Sequence, residues 1–178
     1  MSDSLTTTAG QLLEAVRNND LSAVTSLVSA DPSLASCTDS DGWTALQRAA
    51  RQGYADICQV LLTYGAAVND VTSPAYLNTP LHLASWYGHT AVVETLVQHQ
   101  ASVSAMNRQG FQPLHVASQN GHLACVLALC RVGADMTAVA RDGTAPIHLA
   151  AAKGHIGVVL ALVDDLGCGV NMVSGHTV

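Results

Sequence analysis

The sequence TPLHLA at residues 79–84 decides the fold, because weaker copies of it occur on both sides. The copies are TALQRA at 44–49, QPLHVA at 112–117 and APIHLA at 145–150, and their first residues lie 35, 33 and 33 positions apart. A glycine follows nine positions after the start of each copy, at Gly53, Gly88, Gly121 and Gly154. A period of this length is typical of solenoids, in which one small unit stacks on the next.

The TPLH stretch, together with this period, resembles the ankyrin-repeat family from about residue 12 to residue 171. The resemblance implies an all-α solenoid of stacked helix-turn-helix units, with β-turn or hairpin fingers between them. We predict five units, at about residues 9–38, 39–71, 72–106, 107–139 and 140–171. Residues 1–8 are predicted to be a disordered tail, and residues 172–178 a tail or the start of a truncated further repeat.

Several units depart from the pattern. The first lacks TPLH but has apolar residues at three- and four-residue steps, which predicts a degenerate capping pair of helices with Asp20 at the start of the second. The second has Ala45 and Gln47 where proline and histidine are usual, which predicts a less rigid start. The third gains two residues and has Leu77 where other units have a turn glycine, which predicts a distorted, longer finger.

The fifth unit gains one residue near positions 164–167, which predicts an extra half-turn at the end of a helix over residues 156–165. With no helices after it, its flank is expected to be uncovered. The flank residues are Ile147, Val158, Val159 and Leu162. A solenoid tolerates such a face badly, so end-to-end self-association through this last repeat is a further expectation.

Composition excludes several classes of function. Seven basic residues against thirteen acidic ones give a net charge of −6, which makes a nucleic-acid-binding face a poor hypothesis. No apolar run approaches the roughly 18 residues that span a membrane. Five cysteines without a C-x-x-C pair indicate reduced, mostly buried thiols, and so a cytoplasmic protein, with the nucleus as the alternative compartment.

The sequence offers no site for catalysis, a cofactor or a metal. Six of the eight histidines lie in register on the repeat, three in the TPLH stretch and three just after the glycine. Stacked helices are about 8–10 Å apart, too far for neighbouring histidines to share one zinc ion. We therefore interpret them as hydrogen-bonding struts, the role that the resemblance implies for the TPLH histidine. No nucleophile elbow, phosphate-binding glycine loop or HExxH helix is present.

Function is then expected on the surface. Ankyrin repeats present a concave face made from the fingers and the exposed side of each first helix, and the family's variable positions map onto residues of this chain. From these we predict a partner-binding set of Trp43, Arg51, Gln52, Asn78, Trp86, Tyr87, Arg108, Phe111, Gln119, Asn120, Arg141 and Lys153. The set holds both tryptophans and the one phenylalanine of a chain that is only 4% aromatic, and such residues dominate interface hot spots. The alternative is that these aromatics pack on neighbouring fingers and stabilise the stack.

We accordingly predict a non-enzymatic module that binds a protein or an extended peptide across repeats two to four. Two alternatives stay open. One is an inhibitor or assembly chaperone of an enzyme, and the other is a recognition domain of a larger adaptor, channel or ubiquitin-ligase subunit. The resemblance does not choose among them, because a fold does not determine a function.

Overall fold

The computed structural model describes residues 7–71 and 76–165. Within them the chain forms paired helices joined by turns, as the resemblance implied. The α-helices are α1 (Thr8–Arg17), α2 (Leu21–Ala30), α3 (Ala45–Gln52), α4 (Ala55–Thr63), α5 (Pro80–Tyr87), α6 (Thr90–Gln98), α7 (Pro113–Gln119), α8 (Leu123–Arg131), α9 (Pro146–Ala152) and α10 (Ile156–Leu160). A 3-10 helix covers Pro32–Ser36, and one turn of π-helix covers Ala161–Asp165.

The helix pairs stack in two layers, which confirms the all-α solenoid. We call the pairs repeats 1 to 5, from α1–α2 to α9–α10. The first helices α3, α5, α7 and α9 pack side by side, and the second helices α4, α6, α8 and α10 form the other layer. Leu46, Leu81 and Leu114 occupy the same position in successive repeats and are fully buried. A continuous apolar core therefore runs along the stack, and each repeat depends on its neighbours to bury its apolar surface.

Repeat 1 covers the first end of this core, with α1 packed on α3 and α2 packed on α4. Helix α1 begins at Thr8, inside the expected tail, because the Thr7 side chain accepts a hydrogen bond from the Gly10 N–H at 3.2 Å. Asp20 caps α2 as predicted, by accepting from the Ala23 N–H at 2.9 Å. These short side-chain contacts define both helix starts.

The TPLH histidines are struts, as predicted. The Nδ1 of His82 accepts from the Thr79 N–H at 3.2 Å, and its Nε2 donates to the carbonyl of Phe111 at 2.9 Å. His115 repeats the pattern, with bonds to the Gln112 N–H at 3.2 Å and the Thr144 carbonyl at 3.2 Å. Each ring thus closes the start of its own helix and reaches the finger of the next repeat. Because Nδ1 accepts, the ring proton must lie on Nε2.

Repeat 2 makes the bond that closes the helix start with an amide, and the second bond of that amide goes to a different backbone carbonyl. The Oε1 of Gln47 accepts from the Thr44 N–H at 3.0 Å, and its Nε2 donates to the carbonyl of Asp70 at 3.0 Å. Gln47 is fully buried, like His82 and His115. The amide therefore replaces the bond at the helix start and makes a second bond to a backbone carbonyl, and the predicted looser start of this repeat rests only on the missing proline.

A second row of histidines joins neighbouring repeats near the glycines. The Nε2 atoms of His89, His122 and His155 donate to the carbonyls of Arg51, Trp86 and Gln119 at 2.9–3.0 Å. Each ring lies close to the glycine that follows the preceding repeat's first helix, so that a Cβ there would come within 2.5–3.0 Å of three ring atoms. The glycines have a positive φ as well, from 74° to 84°, so both backbone conformation and the adjacent ring favour a residue without a side chain.

Leu77 takes the left-handed conformation that glycine has in the other fingers, with φ at 56°. We expected the turn to lose this geometry without glycine, and for Leu77 that expectation is wrong. The backbone keeps the glycine-like conformation, at a cost of about 1–2 kcal/mol for a residue with a branched side chain. The rest of the predicted distortion, at residues 72–75, lies outside the described residues.

At position 77 a glycine variant should therefore be more stable than an alanine variant, the reverse of the usual order. Alanine ordinarily stabilises a chain relative to glycine, but here its Cβ meets the same steric penalty as leucine. We expect Leu77→Gly to be more stable than Leu77→Ala by about 0.5–1 kcal/mol. Urea unfolding of the two variants measures the difference, and an advantage for alanine would mean that position 77 has a negative φ.

The last described repeat differs from the predicted arrangement. Helix α10 continues into the π-helical turn, and together they cover residues 156–165, the range predicted for this helix. Residues 166–167, where the extra half-turn would end, lie outside the described residues. Ile147, Val158 and Leu162, expected on an uncovered flank, are buried in the core, and Val159 is partly buried against it. The predicted tail at residues 172–178 lies outside the described residues.

Two apolar side chains of repeat 5 that were not in the predicted flank are the exposed ones. Ile156 and Leu160, one turn apart on α10, are 72% and 52% exposed. Self-association through this repeat stays a prediction, and these two side chains are the ones that it would bury.

Candidate partner-binding face

A groove of about 620 Å³ lies where the fingers of repeats 2 to 4 meet the helices α3 and α5. It is the place where most of the predicted aromatic residues come together. Six members of the predicted set line it: Trp43, Arg51, Asn78, Trp86, Tyr87 and Arg108. Tyr76, His82, Leu83, Asn107 and Gln109 complete the lining. The tryptophans, 43 positions apart in sequence, therefore share one surface, as the stacked repeats predicted.

Local hydrogen bonds hold the fingers that carry these side chains. In repeat 2 the Oδ1 of Asp39 accepts from the N–H groups of Asp41 and Trp43, both at 2.9 Å. In repeat 4 the Oδ1 of Asn107 accepts from the N–H groups of Gln109 and Phe111 at 3.0 and 3.1 Å. Such turns are favoured by aspartate and asparagine, which mimic a backbone carbonyl. The fingers are thus fixed before any partner binds.

The fingers of repeats 3 and 4 are also tied to each other. The Nδ2 of Asn107 donates to the Oδ1 of Asn78 at 3.1 Å, and the Arg108 N–H donates to the carbonyl of Tyr76 at 2.9 Å. Asn107 is buried, so its side chain holds two fingers together from beneath the groove. The floor of the groove is therefore a hydrogen-bonded unit of two repeats.

The guanidinium of Arg51 lies between two aromatic rings at one end of the groove. Its Cζ is 5.6 Å from the centroid of Trp43 and 5.5 Å from that of Tyr87. These are cation–π contacts, worth about 0.5–1 kcal/mol each where partly exposed. They connect the finger of repeat 2, α3 and α5, so Trp43 contributes to the stack as well as to the groove.

Arg48, one turn earlier on α3, is held differently. Its Cζ is 4.7 Å from the Trp43 ring, and its Nε donates to Asp39 at 2.6 Å. It also pairs with Asp41, at 3.1 Å. Of the two arginines, Arg48 has its charge matched by carboxylates within the chain, while Arg51 has no ion pair among the described residues.

Phe111 does not belong to the groove, contrary to our prediction. It is 7% exposed, and it stacks on His115 with ring centroids 5.6 Å apart and planes nearly parallel. It packs with Val116, Ala140 and Leu149 between repeats 4 and 5. A regular neighbouring finger covers this ring, so the alternative structural interpretation holds for Phe111.

The other predicted residues lie outside the groove. Gln52 lines a separate cavity of about 270 Å³ beside α1. Asn120 donates to the carbonyl of Val116 at 2.9 Å and so ends its own helix. Arg141 lies over Gly110, where a Cβ would come within 2.7 Å of its Cγ. Gln119 is half-buried and Lys153 is exposed, and neither lines the groove.

The predicted set omitted five residues of the lining, namely Tyr76, His82, Leu83, Asn107 and Gln109. Tyr76 is 63% exposed and follows the insertion, and an aromatic residue beside an insertion was the available signal. Leu83 occupies the variable position of TPLHxA, where the other repeats have arginine, valine and leucine. Asn107 looked like an ordinary turn residue. Only the stacking of the fingers shows that its side chain also reaches the neighbouring repeat.

The buried thiols are held in the protonated form. Burial raises the pKa of Cys58 to about 12, and burial also raises the pKa values of Cys125 and Cys37. A thiol with a raised pKa is a poor nucleophile. In the described ranges, no three histidine, cysteine or acidic residues are grouped closely enough to hold a metal ion. The helices found there are all too short or too polar to cross a bilayer.

The chain belongs to the ankyrin-repeat family. The family described as "Ankyrin repeats (3 copies)" matches residues 12–107 and 102–174. Repeats of this family generally mediate protein–protein interaction and are generally not catalytic.

Three relatives illustrate the likeness. The chain is 41% identical over 69 residues to "Ankyrin repeat and KH domain-containing protein mask" of Drosophila melanogaster, which covers 39% of this chain and 2% of that protein. It is 33% identical over 94 residues to "Serine/threonine-protein kinase VIK" of Arabidopsis thaliana, a match that covers 53% of this chain and 21% of that protein. It is 35% identical over 77 residues to "NAD-capped RNA hydrolase NUDT12" of Macaca fascicularis, a match that covers 43% of this chain and 16% of that protein. The matched segment is thus a small part of each relative.

Proposed function

We propose that the chain is a non-enzymatic interaction module that binds a protein or an extended peptide in the groove across repeats 2 to 4. The observation that carries the proposal is the exposed aromatic surface there. Trp86 and Tyr87 are 44% and 43% exposed at the end of α5, where packing alone would favour burial of such large apolar side chains. Tryptophan and tyrosine are also the side chains that most often dominate binding energy.

The groove is suited to a ligand that crosses several repeats. Its lining comes from three successive fingers and two first helices. The backbone carbonyl of Trp86 accepts from His122, and the ring of Tyr87 stacks on that of His89 at 6.2 Å. These contacts fix α5, so a partner meets a surface that is already ordered, and less entropy is lost on binding.

Paired alanine substitutions test the proposal. Trp86→Ala with Tyr87→Ala should weaken partner capture from a cell lysate by at least about 30-fold, as expected for two hot-spot residues. Quantitative mass spectrometry of the captured proteins measures the loss. The melting temperature should change by no more than about 3 °C, because both side chains are partly exposed already.

The matched control truncates two exposed apolar residues away from the groove. Leu123→Ala with Val132→Ala alters exposed side chains at the two ends of α8, which does not line the groove, and should leave capture unchanged. If the groove variant captured the same proteins as the native chain, the groove would not be the binding surface. If it unfolded instead, the two aromatics would be stabilising residues of the stack.

A second candidate is a recognition domain that works within a larger protein. The observation in its favour is that the matched segments form only 2–21% of the relatives named above. The same groove would serve this role. The inhibitor or chaperone alternative has no such observation in its favour, and an activity assay of the captured partner with and without the chain would detect it.

A further inference from the structure

The two arginines of α3, Arg48 and Arg51, differ in whether a carboxylate of the chain already pairs with their guanidinium group. Arg48 is engaged by the carboxylates of Asp39 and Asp41. The Cζ of Arg51 instead lies over the rings of Trp43 and Tyr87, 5.6 and 5.5 Å from their centroids. Ring faces attract the cation but do not accept its in-plane N–H donors as a carboxylate does. Arg51 therefore has a fixed position and no carboxylate partner among the described residues.

The charge in the groove is positive although the chain as a whole is negative. The lining includes Arg51 and Arg108, and it has no aspartate or glutamate among the described residues. The net charge of the chain is −6. A cation already lies between the aromatic rings, so the groove disfavours a second cation such as a lysine side chain. An anionic group is the complementary ligand, and a planar guanidinium binds carboxylates by two parallel hydrogen bonds.

The surface beside Arg51 is apolar and aromatic. Trp86, Tyr76 and Leu83 line the same groove, and the first two are exposed. The volume of about 620 Å³ lies within the roughly 300–1,000 Å³ typical of sites for small ligands. The groove can therefore take an apolar side chain next to the anionic one.

We infer that the groove recognises an extended peptide segment in which an aspartate or glutamate lies next to an aromatic or large aliphatic residue. The inference rests on the proposed function and specifies the chemistry of its partner. The side-chain carboxylate pairs with Arg51, and the apolar neighbour contacts Trp86 and Tyr76. A segment within a chain fits better than a chain terminus, because three successive fingers line the groove.

A random dodecapeptide library, displayed at the N-terminus of a phage coat protein, tests this directly. Peptides displayed in this way have no free C-terminus, so an acidic preference must come from side chains. Selection on the native chain should enrich aspartate and glutamate at least fivefold over the unselected library, within two positions of an aromatic or large aliphatic residue.

Two variants with equal charge change separate Arg51 from general electrostatics. Arg51→Gln should abolish the acidic enrichment, whereas Lys153→Gln, outside the groove, should retain it. Arg51→Lys should retain the preference and bind the best peptide about tenfold more weakly, because an ammonium lacks the planar fork. Thermal unfolding by circular dichroism verifies that each variant is folded.

The intrinsic fluorescence of the chain provides a second measurement. Trp43 and Trp86 are its two tryptophans and both line the groove, so a bound peptide should alter the emission. The affinity of the best peptide should fall with added salt on the native chain, and this dependence should weaken in Arg51→Gln.

The outcomes distinguish this inference from the proposed function. Selective peptides without acidic enrichment, or the same enrichment on Arg51→Gln, would overturn the carboxylate inference and leave peptide binding intact. A selection that enriched nothing over a blank surface would contradict both. Free C-terminal carboxylates that bound more tightly than the internal acidic peptides would overturn the choice of a side-chain ligand.

Discussion

Replacing Gly88 by alanine should destabilise the chain by about 2–4 kcal/mol, an unusually large effect for the addition of one methyl group at a helix end. Gly88 has φ at 76°, a conformation that costs a residue with a Cβ about 1–2 kcal/mol. The new Cβ would also lie 2.5 Å from the Nδ1 of His122 in the next repeat. The ring must then move, and its 2.9 Å hydrogen bond to the carbonyl of Trp86 is lost.

Gly154→Ala is the matched control for the steric part of this effect. Gly154 follows α9 as Gly88 follows α5, and its φ is 74°. Nothing lies within 4 Å of a Cβ placed there. This variant should lose only the conformational part, about 1–2 kcal/mol. Urea unfolding of both variants compares the two losses.

A double-mutant cycle identifies the ring as the cause of the difference. In a His122→Ala background, Gly88→Ala should cost no more than Gly154→Ala, because the three atoms nearest to the new methyl group all belong to the removed ring. If Gly88→Ala lowered the free energy of unfolding equally with and without the His122 ring, the ring would be able to move away from the new methyl group without loss of stability. The same change also bears on function, because Gly88 directly follows Trp86 and Tyr87 and a shift of α5 moves both.

The fold was predictable because its determinants are local or recur at a fixed period. The contact between His82 and Thr79 spans three residues, and the glycine at position 88 follows at a constant distance. A sequence displays such relations directly. The predicted stack of paired helices agrees with the structure for this reason.

The groove was only partly predictable, because its details depend on packing between repeats. Trp43 and Phe111 occupy the same position of the repeat, yet Trp43 lines the groove and Phe111 is buried under the next finger. The neighbouring finger determines this difference, and the residue type at the position does not show whether that finger covers it. The stacking of Arg51 on Tyr87 likewise joins residues 36 positions apart.

Acid should destabilise the chain between about pH 6.5 and pH 4 through its buried histidines. Burial lowers the pKa of His82 to about 4 from its ordinary 6.5, and the nearby His115 acts in the same direction. Burial lowers the pKa of His115 as well. Above pH 6.5 both rings are neutral whether folded or unfolded, so the stabilisation is complete. As the pH falls, the unfolded chain takes up protons first, and the folded state is disfavoured.

The size of the effect follows from the shift. The pKa of His82 is 6.5 in the unfolded chain and about 4 in the folded chain. Relative to neutral pH, the free energy of unfolding should therefore fall by about 2 kcal/mol at pH 5 and by about 3 kcal/mol at pH 4. Protonation of Nδ1 would also place a proton against the Thr79 N–H, which that nitrogen now accepts at 3.2 Å. Unfolding free energies measured in urea at half-unit steps from pH 8 to pH 4 give the profile.

The chain itself supplies the control, because Gln47, which occupies the position of His82 in repeat 2, closes its helix start and donates to a backbone carbonyl with an amide in place of a ring. His82→Gln should therefore stay within about 1 kcal/mol of the native stability at pH 7.5, since a buried amide at this position can close the helix start and donate to a backbone carbonyl, as Gln47 does. At pH 5 it should lose about 2 kcal/mol less than the native chain, because an amide does not titrate. The reverse exchange, Gln47→His, should add acid sensitivity to repeat 2. Parallel profiles for the native chain and His82→Gln would show that His82 is not the group responsible, and the acid response would then have to come from elsewhere in the stack.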